Sequence, residues 1–265
     1  MRGIFPGVDC PCAVIGLAEK GRMDIELTAR SAGGHSSAPP AHTAVGIVAR
    51  AVTRIESNPF PMRPSPAVYE LFDRLGRQSK SFGIRLVFAN LWLFLPVVKK
   101  IFAKAGGELN ALLRTTCAAT MVRGGQQSNV LPADATATVN LRLNCGDGVD
   151  ASLERIRRVV ADERVEVTKL YGVEPSAYSP ADTDEFRLLE RVIGQNWPGT
   201  IASPYLMMAG SDSRNYESIC GRVYRFSAME LSKEERGLIH SDNERVSVEK
   251  IAQCVSFYLR LMDCL

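Results

Sequence analysis

Residues 23–40 read Met23-Asp24-Ile25-Glu26-Leu27-Thr28-Ala29-Arg30, then Ser31-Ala32, then Gly33-Gly34-His35-Ser36-Ser37-Ala38-Pro39-Pro40. The first eight alternate apolar and polar, the period-two pattern of a strand with one wet face. The last eight form a loop of loaded chemistry. Two glycines free the backbone, a histidine and two hydroxyls follow, and two prolines bar a continuing strand. A strand-to-helix connection needs only about two to six residues. This one is longer, and loops carry function more often than cores do. His35 is therefore a candidate functional residue; the plainer reading is a satisfied histidine beside a Gly-rich turn.

Working outward, Thr43 to Glu56 places Ala44, Ile47, Val48, Ala51, Val52 and Ile55 on one helical stripe, with Arg50, Arg54 and Glu56 off it. On the N-terminal side, Ala13 to Leu17 reads as a buried strand and Ala18-Glu19-Lys20-Gly21 as a polar turn closed by glycine. Four prolines between Asn58 and Pro66 end the helix. They open an insertion, residues 58–112, with helical pieces at Val68–Leu75 and Ser81–Lys104. Its most apolar run, Leu86 to Val98, is too short to span a bilayer, is interrupted by Asn90 and Pro96, and ends at Lys99 and Lys100. It suits a buried or interface helix, or the wall of an apolar substrate channel.

Cys117 to Val122 is strand-prone and leads into a second polar loop, Gly124 to Pro132. Ala135, Ala137, Val139, Leu141 and Leu143 then share one strand face, with Arg142 on the other. Ser152 to Ala161 is an amphipathic helix with Leu153, Ile156, Val159 and Val160 inward, and Val165 to Leu170 is a strand. With the insertion set aside, the order between about Arg22 and Tyr171 is β-α-β-β-α-β. That is the ferredoxin-like order, an antiparallel sheet with both helices on one face. The remainder alternates differently: helix Asp184–Gln195, strand Ile201–Met208, polar loop Ala209–Asn215, strand Val223–Ala228, loop Gly237–Glu244 and helix Val248–Met262. This predicts a partial α/β unit to which the strand near Val14 belongs. The expected division is residues 1–21, residues 22–171 and residues 172–265.

The chain has 265 residues, 46% apolar and 23% charged, ordinary for a globular protein of one or two domains. With 32 basic against 29 acidic side chains and no basic block, nucleic-acid binding is not expected. Seven cysteines without a paired framework suggest free thiols in a reducing, cytoplasmic compartment. Cys10-Pro11-Cys12 lacks a second ligand pair for a metal. Met1 to Pro6 contains no apolar core of signal-peptide length.

Three histidines are present: His35, His42 and His240. His42 sits at a helix start and is expected to be exposed. His240 leaves an apolar pair for a polar loop, which suits either a metal ligand or a surface histidine. Arg142 offers a guanidinium fork for a carboxylate, or simply an exposed charge. Asn129 suits either an orienting amide or a turn. Ser211-Asp212-Ser213-Arg214 suits an anion cradle or a turn. No nucleophile elbow, P-loop or dinucleotide fingerprint is present.

In order, GGHSSAPP with the helix TAVGIVARAVTRIE, then GGQQSNVLPADATATVNLR, GSDSRNY and LIHSDNERV resemble the dizinc aminoacylase/carboxypeptidase metallopeptidase family. FANLWLFLPVV and the AEKG segment are similar to its carboxypeptidase S and N-acyl-amino-acid hydrolase branch. The resemblance implies a ferredoxin-like lid, or dimerisation, domain inserted in a zinc-binding α/β catalytic domain. It implies a homodimer formed through the lid and a substrate that is an N-acyl amino acid or a peptide. By the same resemblance, His35 donates to the oxyanion in the partner subunit's site. Asn129 and Arg142 hold the substrate, Ser211, Asp212 and Arg214 lie in the substrate loop, and His240 is a zinc ligand. The family's His-x-Asp pair, bridging Asp and Glu-Glu pair precede the lid and are not found ahead of it here; Glu234-Glu235 lies in the other half. The expectation is a C-terminal portion of such a hydrolase, weak in zinc binding and inactive alone. The alternative is a non-catalytic dimerisation or regulatory module derived from the family.

Overall fold

The structure, a computed structural model, describes residues 7–265; the reading of Met1 to Pro6 lies outside them. Strand β1 (Cys12–Glu19) runs almost directly into β2 (Gly21–Arg30), followed by β3 (Gly34–His35) and helix α1 (Ala44–Ser57). The insertion folds as α2 (Pro66–Gly76), α3 (Phe82–Ala89), α4 (Leu91–Ala105) and α5 (Gly107–Leu113). Then come β4 (Thr116–Arg123), β5 (Val130–Leu131), β6 (Asp134–Leu143), α6 (Val149–Val160) and β7 (Val165–Val173). The chain closes with α7 (Asp184–Asn196), β8 (Ile201–Met207), α8 (Lys233–Arg236) and α9 (Val248–Met262).

The antiparallel sheet has the order β4-β6-β2-β7, the ferredoxin-like arrangement expected from the pattern. Its register follows from burial. Met23, Ile25, Leu27 and Ala29 lie opposite Leu141, Val139, Ala137 and Ala135, and all eight are buried on one face. A one-residue slip would turn that whole set to water, so the pairing is strongly specified. Helices α1 and α6 cover the face with Ile47, Val48, Ile55, Leu153, Ile156 and Val160. Thr43 caps α1 by accepting from the Gly46 amide. The Glu174 carboxylate accepts from the Val149 amide at the start of α6, where the helix dipole favours an anion.

The two polar loops do not stay separate. Gly33 (φ +67°) and Gly34 (φ +128°) adopt backbone angles that side chains resist, and they turn His35 toward the second loop. There β3 and β5 form a short antiparallel ladder, Gly34 opposite Leu131 and His35 opposite Val130.

β1 pairs in parallel with β8. Both faces of this pair are covered, which explains why β1 reads as a continuous apolar run. Ile15 and Leu17 pack with Phe186, Ile193 and Phe257 from α7 and α9. Cys12, Ala18 and Leu206 pack with Leu71, Phe72, Phe88 and Phe102 from the insertion. The insertion thus leaves the lid and lies on the β1–β8 pair, with α2 directly against β8.

Several sequence expectations are corrected. Ala18 to Gly21 is no exposed turn: only Lys20 separates the strands, and Glu19 and Lys20 are both buried. Val223 to Ala228 is no strand but a single bridge, Gly16 to Arg225. Its backbone is satisfied elsewhere, the Val223 amide donating to Ser179 Oγ at 2.9 Å. Glu234 and Glu235 lie in the helical turn α8 rather than in a loop. The insertion also carries a further helix, α5, over Gly107–Leu113. Among the described residues no disulfide joins the cysteines, as expected.

Candidate functional site

Glu19 is a fully buried carboxylate. It ends β1 where the two halves of the chain meet. Oε1 accepts from Ser213 Oγ at 2.8 Å and from Ser211 Oγ. Oε2 accepts from the Ser211 amide at 3.1 Å and from Arg214 at 3.3 Å. Arg225 Nε lies 3.0 Å from Oε1, near enough for charge attraction but out of line for a hydrogen bond. Burial pushes this carboxyl up, yet the two serines, the Ser211 amide and the Arg225 charge outweigh it and hold it below the ordinary value.

Arg225 is buried as well. Its other nitrogens reach Glu217 and the Val223 carbonyl. Its backbone exchanges two hydrogen bonds with Gly16, at 2.8 and 3.0 Å. A side chain at Gly16 would put Cβ 3.0 Å from Arg225 Cβ, so glycine permits this approach. The result is a clamp: β1 grips the segment Ser211–Arg214, which the chain then folds into a one-turn 3₁₀ helix over Asp212–Tyr216. Asp212 is exposed at its start. A cavity of about 510 Å³ opens beside the clamp, lined by Ser211, Ser213 and Arg225 at one end and by Val14, Trp197 and Phe226 among its apolar walls.

His35 and Asn129 are brought together by the β3–β5 ladder, the Ser36 amide donating to the Asn129 carbonyl at 3.2 Å. Both residues are exposed. Arg142 sits on the open face of the lid sheet, opposite Arg22 and beside Thr116. Asp24 lies next in that cluster, bonded to Arg22 at 2.7 Å and to Asn140. Burial raises the Asp24 carboxyl, but the bonds from Arg22 and Asn140 and the charges of Arg22 and Arg142 lower it overall. Lys20 donates to the Arg114 carbonyl at 2.6 Å, and burial pulls its ammonium down to about 8.

His240 is exposed on a left-handed backbone (φ +60°), its amide donating to Glu244 at 3.2 Å. Among the described residues no three His, Cys, Asp or Glu side chains gather closely enough to hold a metal ion. A zinc centre takes at least three protein ligands, and among the described residues His240 has no two further such side chains gathered beside it. His42 is exposed beside Arg50. No hydrogen bond or ion pair among the described residues joins the His35–Asn129 ladder to the Ser211–Arg214 clamp or to His240. Glu19 and Arg225 are the residues the pattern reading missed. The available signal was a charge embedded at the end of an apolar run, in VIGLAEK and in VYRFSA.

The description "Peptidase dimerisation domain" (M20_dimer) matches residues 17–168, from the end of β1 into β7. A probable carboxypeptidase S-like protein of Dictyostelium discoideum is 36% identical over 263 residues, covering 98% of this chain and 50% of the relative. An N-fatty-acyl-amino acid synthase/hydrolase, PM20D1, of Xenopus tropicalis is 37% identical over 263 residues, covering 98% and 51%. The chain thus spans about half the length of the curated relatives it matches. A tripeptidase from Staphylococcus aureus has the same fold at TM-score 0.61 and 14% identity, covering 97% of this chain and 55% of that one. An M20 metallo-carboxypeptidase from Sulfolobus solfataricus superposes at TM-score 0.57 and 11% identity, covering 95% and 64%. The sheet order read from burial and the family match over the same residues agree: this chain belongs to the M20 peptidases, through their dimerisation domain.

Proposed function

We propose that this chain is the lid and the second half of the catalytic domain of a zinc-dependent M20 hydrolase that cleaves the amide of N-acyl amino acids or C-terminal peptide bonds. Residues 22–171 form the lid; residues up to 21 and 172–265 belong to the catalytic part. The observation that carries the reading is the β3–β5 ladder, which fixes His35 beside Asn129 at one end of the lid, exposed to whatever faces it. In that position an imidazole donates to charge developing on a carbonyl oxygen of a partner subunit's substrate. Asn129 and Arg142 hold the substrate's carbonyl or carboxylate, Arg142 with no ion pair of its own among the described residues. Glu19 presents Ser211, Asp212 and Arg214 as the substrate loop. The cavity beside that loop falls within the ordinary range for a small-molecule site, roughly 300–1,000 Å³, and its apolar walls suit an apolar acyl group, as in relatives named for N-fatty-acyl amino acids.

His240 contributes one zinc ligand; alone, the chain does not hold the ion and does not turn over substrate. The test is complementation. The chain is mixed with the upstream half of the Xenopus relative and assayed on an N-acyl amino acid with a long acyl group. Turnover is expected in the mixture only, falling about 10²–10³-fold with His35→Ala, the loss typical of a missing oxyanion donor. Turnover by the 265-residue chain alone, or full activity of the His35→Ala mixture, would overturn the assignment.

A further inference from the structure

Helices α3 and α4 meet at Asn90 with their axes bent by 113°. The inner side of this elbow, Phe88, Leu91, Val98 and Phe102, fills the core around Phe72. The outer side is apolar too: Phe82, Leu86, Leu93, Val97 and Ile101 are exposed, and Trp92 is 76% exposed. None of these outer residues lines the 510 Å³ cavity, so the run is not the wall of that site.

The charges within the elbow have one sign. Residues 82–105 contain Arg85, Lys99, Lys100 and Lys104 and no acidic residue. Those four form no ion pair among the described residues. The cations just before them are all paired: Arg74 with Glu190, Arg77 with Asp73 at 2.8 Å and Lys80 with Asp9 at 2.7 Å. An apolar face with a tryptophan at its rim and uncompensated cations beside it is the composition of a helix that lies in a membrane interface. A second copy is a poor occupant, because a two-fold contact on this face would set four cations against four more. Among the described residues no single helix is long and apolar enough to cross a bilayer.

We propose that the α3–α4 elbow docks on an anionic lipid surface, Trp92, Leu93 and Val97 entering among the headgroups while Arg85, Lys100 and Lys104 meet lipid phosphates and carboxylates. This docking is independent of the hydrolase assignment and needs no catalytic residue.

The test is flotation of the chain with vesicles of phosphatidylcholine alone and of phosphatidylcholine mixed with phosphatidylserine. Flotation is expected on the anionic vesicles, weakening at high salt. Emission should shift to the blue on binding, and Trp92→Phe should abolish the shift. Lys100→Ala with Lys104→Ala should lower partitioning about twentyfold, since each cation near such a surface contributes several-fold. Leu93→Glu with Val97→Glu should abolish flotation while the far-ultraviolet circular dichroism stays unchanged, both side chains being exposed. Absence of flotation on both vesicle types, or flotation that survives Leu93→Glu with Val97→Glu, overturns the proposal. So does dissociation of an oligomer by that variant without any vesicle binding by the parent chain, which would assign the face to chain–chain contact.

Discussion

Glu19 shows how one buried charge can organise a loop. A carboxylate in an apolar interior is costly unless its oxygens are fully used. Here both are, by two serines, an amide and two guanidinium groups. Removing the charge leaves Arg225 buried with Glu217 as its remaining anion and frees Ser211–Arg214. Glu19→Gln should therefore lower stability by about 3 kcal/mol at neutral pH, the lower end of the range for breaking a buried pair. The sign with pH follows from the depressed carboxyl. Its contribution is complete above the unfolded value, near 4.3, and is lost as pH falls through the lower folded value. Denaturant titrations of both proteins should differ at pH 7 and converge in acid. A constant difference down to the acid limit would show that the charge is not what holds the loop.

At the scale of elements, the strand β4 is one of the two edges of the lid sheet, β7 being the other, and Met121 and Val122 on β4 are turned to solvent. An edge of unpaired backbone groups is a template for another strand. We propose the β4 edge as the surface through which the homodimer forms. Edge lysines oppose such pairing, so Val122→Lys should raise the dimer dissociation constant about tenfold, roughly 1.4 kcal/mol, by analytical ultracentrifugation. A dimer unmoved by that change would place the interface on another element. The same reasoning explains the β3–β5 ladder. Glycines able to adopt positive φ let two loops pair over two residues each, which neither loop's composition announces.

Over the whole molecule, the buried side chains fall into separate cores: one between the lid sheet and α1 and α6, the others on the two faces of the β1–β8 pair. Leu27 belongs to the first alone. Leu27→Ala should cost about 3 kcal/mol, within the range for a fully buried leucine. Amides of β2 and β6 should then exchange about a hundredfold faster, those of β1 and β8 remaining unchanged. Equal acceleration in all four strands would show that the cores unfold as one.

Periodicity by itself determined the lid. Alternation in Met23–Arg30 and Ala135–Leu143 and the helical stripes of α1 and α6 specify which faces are buried, and burial of one face leaves one register. The motif order was sufficient to point to the family. Tertiary structure decided the rest, because it depends on contacts between residues far apart in the chain. Glu19 reads as part of a polar turn until Ser211, Ser213 and Arg225, some two hundred residues later, close around it. Val223–Ala228 reads as a strand until Ser179 takes its amide and Gly16 leaves room for only one bridge. The insertion reads as part of the lid until its aromatic side is seen against β1 and β8. A local pattern encodes which side of an element is apolar; it does not encode which other element comes to cover that side.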